Sequence, residues 1–205
     1  MIIIGYSGHA YVIVDALNSR NIEPFGYMDC NAKPSNPYDI DYLGDDRDPA
    51  LMKYLDVANW IIAVGDNVTR REIFERITAQ KGVVPGIVTH ASSYVASNVE
   101  IGAGTFVAAN ATINPLALIG KCVICNTCSL VEHDCIVGDY SHIGPGAILL
   151  GSVSIGSSCM IGAGAVVRQG ITIGHGAIIG AGSVVVSDVP AGATVMGNPS
   201  KVKMI

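Results

Sequence analysis

A small Rossmann-like α/β unit followed by a parallel β-helix is the fold predicted by this sequence of 205 residues. Three observations carry the prediction. The first is a change of chemistry near residue 85: residues 1–85 hold 8 of the 12 Lys/Arg and 12 of the 17 Asp/Glu, while 18 of the 24 glycines fall in residues 86–205. The second is an alternation of short apolar runs and helical patterns before that boundary, the order that builds a parallel sheet with crossover helices. The third is a six-residue period after it.

Met1–Gly5 reads as a buried strand, and Ala10–Asn18 as a helix with Val12, Ile13, Ala16 and Leu17 on its apolar face. Phe25–Met28 and Trp60–Val64 read as further strands, with a polar loop rich in Asp, Asn and Pro over residues 30–48 between them. Thr69 and Glu72 have capping-box spacing ahead of a helix that carries Ile73, Phe74 and Ile77 on one side. The turn Gly5-Tyr6-Ser7-Gly8-His9 joins the first strand to the first helix, where backbone amides at a helix N-terminus can approach an anion. It lacks the G-x-G-x-x-G spacing of a dinucleotide fingerprint. So small a unit holds a mononucleotide more easily than a dinucleotide with its substrate.

From Val95 to Val185 every sixth residue is aliphatic in 15 of 16 positions, Cys125 being the exception, and the next residue is glycine in eight of them. The fifth residue of each hexad is small or β-branched, as at Thr105, Ala111, Ala117, Ser129, Ala147 and Ala165. Such a register marks a parallel β-helix, each short strand forming one side of a prism with glycine at the corner. It also bears on the run Cys122-x-x-Cys125-x-x-Cys128. Cys125 takes an inward aliphatic slot, Cys135 and Cys159 take inward small slots, and Cys122 and Cys128 fall on neighbouring sides. These sulfurs diverge, so no metal site is expected.

A net charge of −5 without a basic stripe excludes a nucleic-acid binder. No apolar run is long enough for a membrane span, and Met-Ile-Ile-Ile-Gly lacks the basic start of a signal peptide; a cytoplasmic protein is expected. Nine charged residues in residues 86–205 are few for a free surface, which predicts cover by other subunits of a homo-oligomer. Among the histidines, His133 lies between Glu132 and Asp134, and His142 stands sixth in its hexad, so alternation turns it outward. His90 and His175 read as surface residues.

The Gly-x-Ser-Gly-His turn, the strand ending at Asp29, the segment Ala63-Val64-Gly65-Asp66-Asn67 and the unbroken hexads with an embedded Glu132-His133-Asp134 resemble the bacterial PglD/NeuD-type sugar acyltransferases, over essentially the whole chain. The resemblance implies a left-handed β-helix homotrimer with hexapeptide repeats. Residues 1–85 would be a Rossmann-like nucleotide-sugar-binding domain and residues 86–205 the acyltransferase domain. It implies transfer of acetyl from acetyl-CoA, without a metal, to the 4-amino group of a UDP-linked amino sugar of the bacillosamine type. O-acetylation of sialic acid or another sugar is the near alternative, and a zinc lyase of the hexapeptide carbonic-anhydrase type the distant one.

Position by position, the resemblance puts the general base at His133. The carboxylate that polarises it falls at Asp134, where the family commonly has Glu. His142 falls near the acetyl-CoA thioester, and Gly151, Ala163 and Ala181 where backbone groups line the CoA channel. Ser7, Gly8 and His9 fall on the turn that meets the nucleotide sugar, Asp29 and Cys30 near the uracil and ribose, and Gly65 at the end of the third strand. With the three hexads per coil that the family has, His133 and His142 are half a coil apart. They could then share a site only across a subunit boundary.

Overall fold

The all-apolar run Ile2–Ile4 (β1) is an inner strand of a four-stranded parallel sheet in the computed structural model, which describes residues 1–203. A strand covered on both faces needs such a run rather than alternation. Gly26–Met28 (β2) pairs with it on one side, Tyr42–Gly44 (β3) lies beyond β2, and Trp60–Ile62 (β4) pairs on the other side. Strand β3 falls inside the segment that composition marks as a polar loop. Only shallowly buried, it carries no apolar signal of its own. Helix α1 (Gly8–Asn18) buries Ala10, Ile13, Val14, Ala16 and Leu17, whereas Val12 turns outward.

Helix α2 (Asn67–Lys81) begins before the expected capping box. Its N-cap is Asp66, whose carboxylate accepts the Thr69 N–H at 2.8 Å. Thr69 is thus inside the helix, and an acidic cap has replaced the Thr–Glu pair. Gly82 closes the helix in the left-handed conformation, with its N–H on Thr78 O. No helix of the described residues is long and apolar enough to cross a membrane.

From Val88 onward, two-residue strands recur at six-residue spacing and pair in parallel with the strand one coil on, Ile124 with His142 and Cys125 with Ile143. Three strands make each coil of a left-handed parallel β-helix. Its first face runs from Val88–Thr89 through Phe106–Val107, Ile124–Cys125, His142–Ile143, Met160–Ile161 and Ile178–Ile179 to Thr194–Met196. The second runs from Tyr94–Val95 to Val184–Val185 and the third from Glu100–Ile101 to Thr172–Ile173. A last strand, Lys201–Lys203, pairs antiparallel with Thr194–Met196.

The hexad residues fill the coil's interior as the period requires. Cys125, Cys135 and Cys159 are among them, fully buried beside Val107, Ile143 and Ile161. Cys122 is buried under α2 and Cys128 is exposed, and all six thiols are free. Among the described residues no group of three His, Cys, Asp or Glu side chains is placed to hold a metal ion. The first sheet docks on the first face: α1 and its neighbours meet Val88, Phe106, Ala108 and Ile124, while Phe74 and Ile77 of α2 pack with Cys122 and Tyr140.

Two kinds of corner position carry the glycines. One is left-handed, and Asn110, Cys122, Asp134 and Tyr140 occupy it as well as glycine does. The other opens a corner and is closed to side chains: a Cβ on Gly138 would lie 2.5 Å from Ser157 N and 2.6 Å from Gly156 C on the next coil. Gly138→Ala is therefore expected to destabilise the protein by about 1–3 kcal/mol through overpacking. Gly164→Asn, at an open left-handed position of the kind Asn110 fills, is expected to change stability by less than about 1 kcal/mol. Thermal unfolding of the two variants side by side checks the contrast.

Candidate active site

The corner between the second and third faces is the one that never opens with glycine. Its opening residues are Ala96, Asn114, Glu132, Leu150, Arg168 and Val186, so this column can display side chains. Here Asp134 adopts a φ of 58° and its carboxylate turns back to the preceding ring, His133 Nδ1 lying 2.8 Å from Asp134 Oδ2. An ionised carboxylate only accepts, so Nδ1 carries the proton and Nε2 keeps its lone pair. Aspartate therefore reaches the histidine directly. Nε2 faces Gly151 on the next coil, where a Cβ would sit 2.8 Å from it. Both side chains are exposed, beside a cleft lined by Glu132, Leu150, Ser152 and Gln169.

His142 points out of the coil, as alternation predicts, but the N-terminal domain covers it. Its ring lies 6.5 Å from that of His9, which stands edge-on to Phe106 at 5.6 Å. Asn126, one coil back, gives its Oδ1 to the Thr127 N–H at 2.8 Å. Its amide nitrogen, 3.0 Å from His142 Nε2, is then the donor, and the His142 proton belongs on Nδ1. That Nδ1 is buried without a partner among the described residues, as is Nε2 of His9. Burial, then the neighbouring His142 and Arg70, lowers His9 to about 4. Burial and then Arg70 lower His142 to about 4, against an opposing backbone contact at Gly65.

At the carboxyl ends of β1, β2 and β4, the edge where open parallel sheets take ligands, stand the other candidates. Ser7, the N-cap of α1, makes no side-chain capping bond, and it and Gly8 are exposed beside amides that a helix start leaves without acceptors. The Asp29 carboxylate accepts the Tyr6 N–H at 2.9 Å and pairs with Lys33 at 2.9 Å, which braces the turn before Ser7. Burial alone would raise Asp29; hydrogen bonds from Lys33, Tyr6 and Cys30 outweigh it and hold the carboxyl below its ordinary value. Cys30 is exposed, with its thiol on Asp29 Oδ1 at 3.1 Å. Gly65 follows β4 and faces His142.

The predicted residues thus form separate groups in one chain. Gly151 joins His133 and Asp134. Ala163 and Ala181 lie on the corner between the first and second faces, where Gly182 N–H bonds to Ala163 O at 2.8 Å. His9, Gly65 and His142 meet in the seam between the domains. Asn126, Lys33 and Arg70 are additions that the sequence did not single out, and Asn67, quoted there only within the Ala63-Val64-Gly65-Asp66-Asn67 segment, gains a contact of its own. Only Asn126 has a readable signal: it fills a corner-opening position in the column that Gly144, Gly162 and Gly180 continue.

Fold and site together define a hexapeptide-repeat transferase with an appended α/β domain. Residues 1–77 match the PglD N-terminal domain and residues 152–187 the bacterial transferase hexapeptide (six repeats). Over 202 residues the chain is 36% identical to GDP-perosamine N-acetyltransferase of Escherichia coli O157:H7, covering 95% of this chain and 83% of the relative. PerB from Caulobacter crescentus, solved in complex with CoA and GDP-perosamine, superposes with a TM-score of 0.92 at 35% identity, over 99% of this chain and 96% of that one. The acetyltransferase domain of PglB from Neisseria gonorrhoeae, in complex with acetyl coenzyme A, gives 0.90 at 33% identity over 98% of each chain. The chain belongs to the PglD/NeuD-type family of sugar acyltransferases.

The buried imidazoles make stability depend on pH. His9 and His142 titrate near 4 when folded and near 6.5 when unfolded, so the unfolded chain takes up these protons first as the pH falls. Their contribution is whole above about 6.5 and declines from there down to about 4. Tm is expected to fall across that window, and to fall less in His9→Asn; unfolding curves at a series of pH values check it.

Proposed function

We propose that this protein transfers the acetyl group of acetyl-CoA to the 4-amino group of a nucleotide-linked amino sugar, with His133 as general base. The observation that carries the reading is the His133–Asp134 pair, which anchors Nδ1 on a carboxylate and leaves Nε2 free. The amine nitrogen attacks the thioester carbonyl, the C–N bond forms and the C–S bond breaks, and Nε2 takes the amine proton and returns it to the departing sulfur. Asp134 stabilises the imidazolium that forms meanwhile. His142 offers its Nδ1–H to the thioester oxygen, and a corner amide is a further donor as charge develops there.

In this reading Gly151, Ala163 and Ala181 line the path of CoA. Ser7, Gly8, His9, Asp29, Cys30 and Gly65 receive the nucleotide sugar, so residues 1–85 bind the acceptor and residues 86–205 supply the transfer machinery. His133 and His142 lie on different sides of one coil, which supports a homotrimer whose sites each combine two subunits. The family resemblance in the sequence implies UDP; similarity to proteins named for GDP-perosamine supports a GDP-linked acceptor instead. Six free thiols fit a reducing compartment, the cytoplasm.

Thiol release from acetyl-CoA is expected with GDP-linked 4-amino sugars and is expected to fall by about 10²-fold or more in His133→Ala. Undiminished turnover in that variant would remove the base, and turnover with UDP-linked sugars alone would restore the UDP assignment. Subunits carrying His133→Ala, co-assembled with subunits carrying His142→Ala, are expected to regain activity that neither parent shows. A mixture no more active than its parents would place each site within one subunit.

A further inference from the structure

Arg70, at 1% exposure, is the only buried charged side chain among the described residues. No carboxylate pairs with it: Asp66, on the same helix, directs its Oδ1 to the N–H and hydroxyl of Thr69. Five N–H groups meet six neutral acceptors instead. Nε donates to Cys122 O at 2.8 Å, Nη1 to Val64 O at 3.1 Å and Gly65 O at 2.9 Å, and Nη2 to Asn67 Oδ1 at 2.7 Å and Tyr140 O at 2.8 Å, with Ser141 O at 3.5 Å. The group is fully hydrogen-bonded and its charge is not neutralised. Burial lowers it only to about 10, so it is a cation at neutral pH.

These acceptors converge on His142. Val64 and Gly65 end the segment that follows β4 and faces the imidazole, and Tyr140 and Ser141 immediately precede it on the coil. A second path runs through Asn67, whose Nδ2 donates to Cys159 O at 3.0 Å, the same carbonyl that accepts the His142 N–H at 2.9 Å. Arg70 is therefore bonded to the segment over His142, to the strand that carries it and, through Asn67, to the group that fixes its backbone. Around His142 stand His9 from α1, Gly65 after β4, Asn67 and Arg70 from α2, Asn126 from the preceding coil and Met160 from the next. None is anionic. Of the nearby thiols, Cys122 is pushed up to about 12 by burial and Cys159 is raised by the same cause, so both stay neutral.

We propose that Arg70 is a positioning residue for acetyl transfer: it locks the seam between the domains at His142 and sets an unneutralised positive charge beside the buried imidazoles of His142 and His9. His142 then remains an Nδ1–H donor throughout, and His133 alone exchanges protons with the substrates. The catalytic consequence rests on the acetyltransferase reading above; the electrostatic part stands without any substrate.

The test is a histidine NMR titration of the whole protein without substrate, joined to the pH profile of kcat/KM, for wild type, Arg70→Gln and Arg70→Lys. His9 and His142 are expected to stay silent between about pH 5.5 and 8 in wild type. In Arg70→Gln both are expected to titrate about one unit or more higher, with kcat/KM down about tenfold and an added ionisation in its profile. Arg70→Lys, which keeps the charge and loses the fork, restores the silence. A wild-type His142 that titrates above about pH 6 overturns the proposal whatever the enzyme turns over. So does a folded Arg70→Gln whose histidines and pH profile match wild type. Should Arg70→Gln fail to fold, the wild-type and Arg70→Lys titrations decide by the same criteria. Silent histidines in a protein that transfers no acetyl would instead refute the acetyltransferase reading and leave the electrostatics standing.

Discussion

Each coil must hand its backbone hydrogen bonds to the next in fixed register, as Leu118 N–H does to Cys135 O and Gly120 N–H to Val137 O. The rest of the structure hangs on that constraint. Coils stacked about 4.8 Å apart leave no room at a closed corner for even one methyl group. Interior polar side chains mostly join the same register, while Ser129 Oγ is buried without a partner among the described residues. Thr105 Oγ1 donates to Gly120 O and accepts the Val123 N–H, and Ser141 repeats the arrangement two coils later with Gly156 O and Cys159 N–H. The glycine-free corner escapes the closure, and that is where His133 is displayed.

The seam between the domains works on the opposite principle. His133 is held at the surface by one carboxylate. His142 and His9 are taken out of water by the docking of α1 and α2 on the first face, and burial pushes both down to about 4. A domain merely tethered to the coil would leave both imidazoles hydrated. Apolar packing of Phe106, Ile124 and Val88 with the first domain, together with the guanidinium of Arg70, makes the surroundings of both imidazoles unfavourable to a further positive charge.

The coil was legible because its signal is local and repeated: a hexad states its own register, and the same register sorted the cysteines into inward slots and corners. The catalytic candidates His133 and Asp134 were legible as a motif, though their 2.8 Å contact depends on the left-handed φ at Asp134, which no spacing reveals. What escaped depends on distant parts of the chain. Helix α2 announces its apolar side in Ile73, Phe74 and Ile77, but nothing local distinguishes Arg70, buried, from Arg71, exposed. Outward alternation at His142 was right for the coil and silent about the domain that lands on it. Asp66 took the cap from Thr69 because an extended residue just ahead of the helix was available, a choice made by backbone geometry rather than by composition.

A stack of parallel rungs is a template for copies of itself, and a free last rung would accept the first rung of another coil. This coil stops such growth at its final turn. The chain reverses from Thr194–Met196 into Lys201–Lys203, Val184 N–H bonds to Gly197 O and Ser200 N–H returns to Val184 O, while Val189 closes the third face on Thr172–Gly174. At the other end Arg20 of the first domain donates to the carbonyls of Thr89 and His90. The last rung is thus covered by the chain itself, and the first rung of the first face in part by Arg20. The coil repeats like a fibre, and a strand of the same chain takes the place where its next rung would lie.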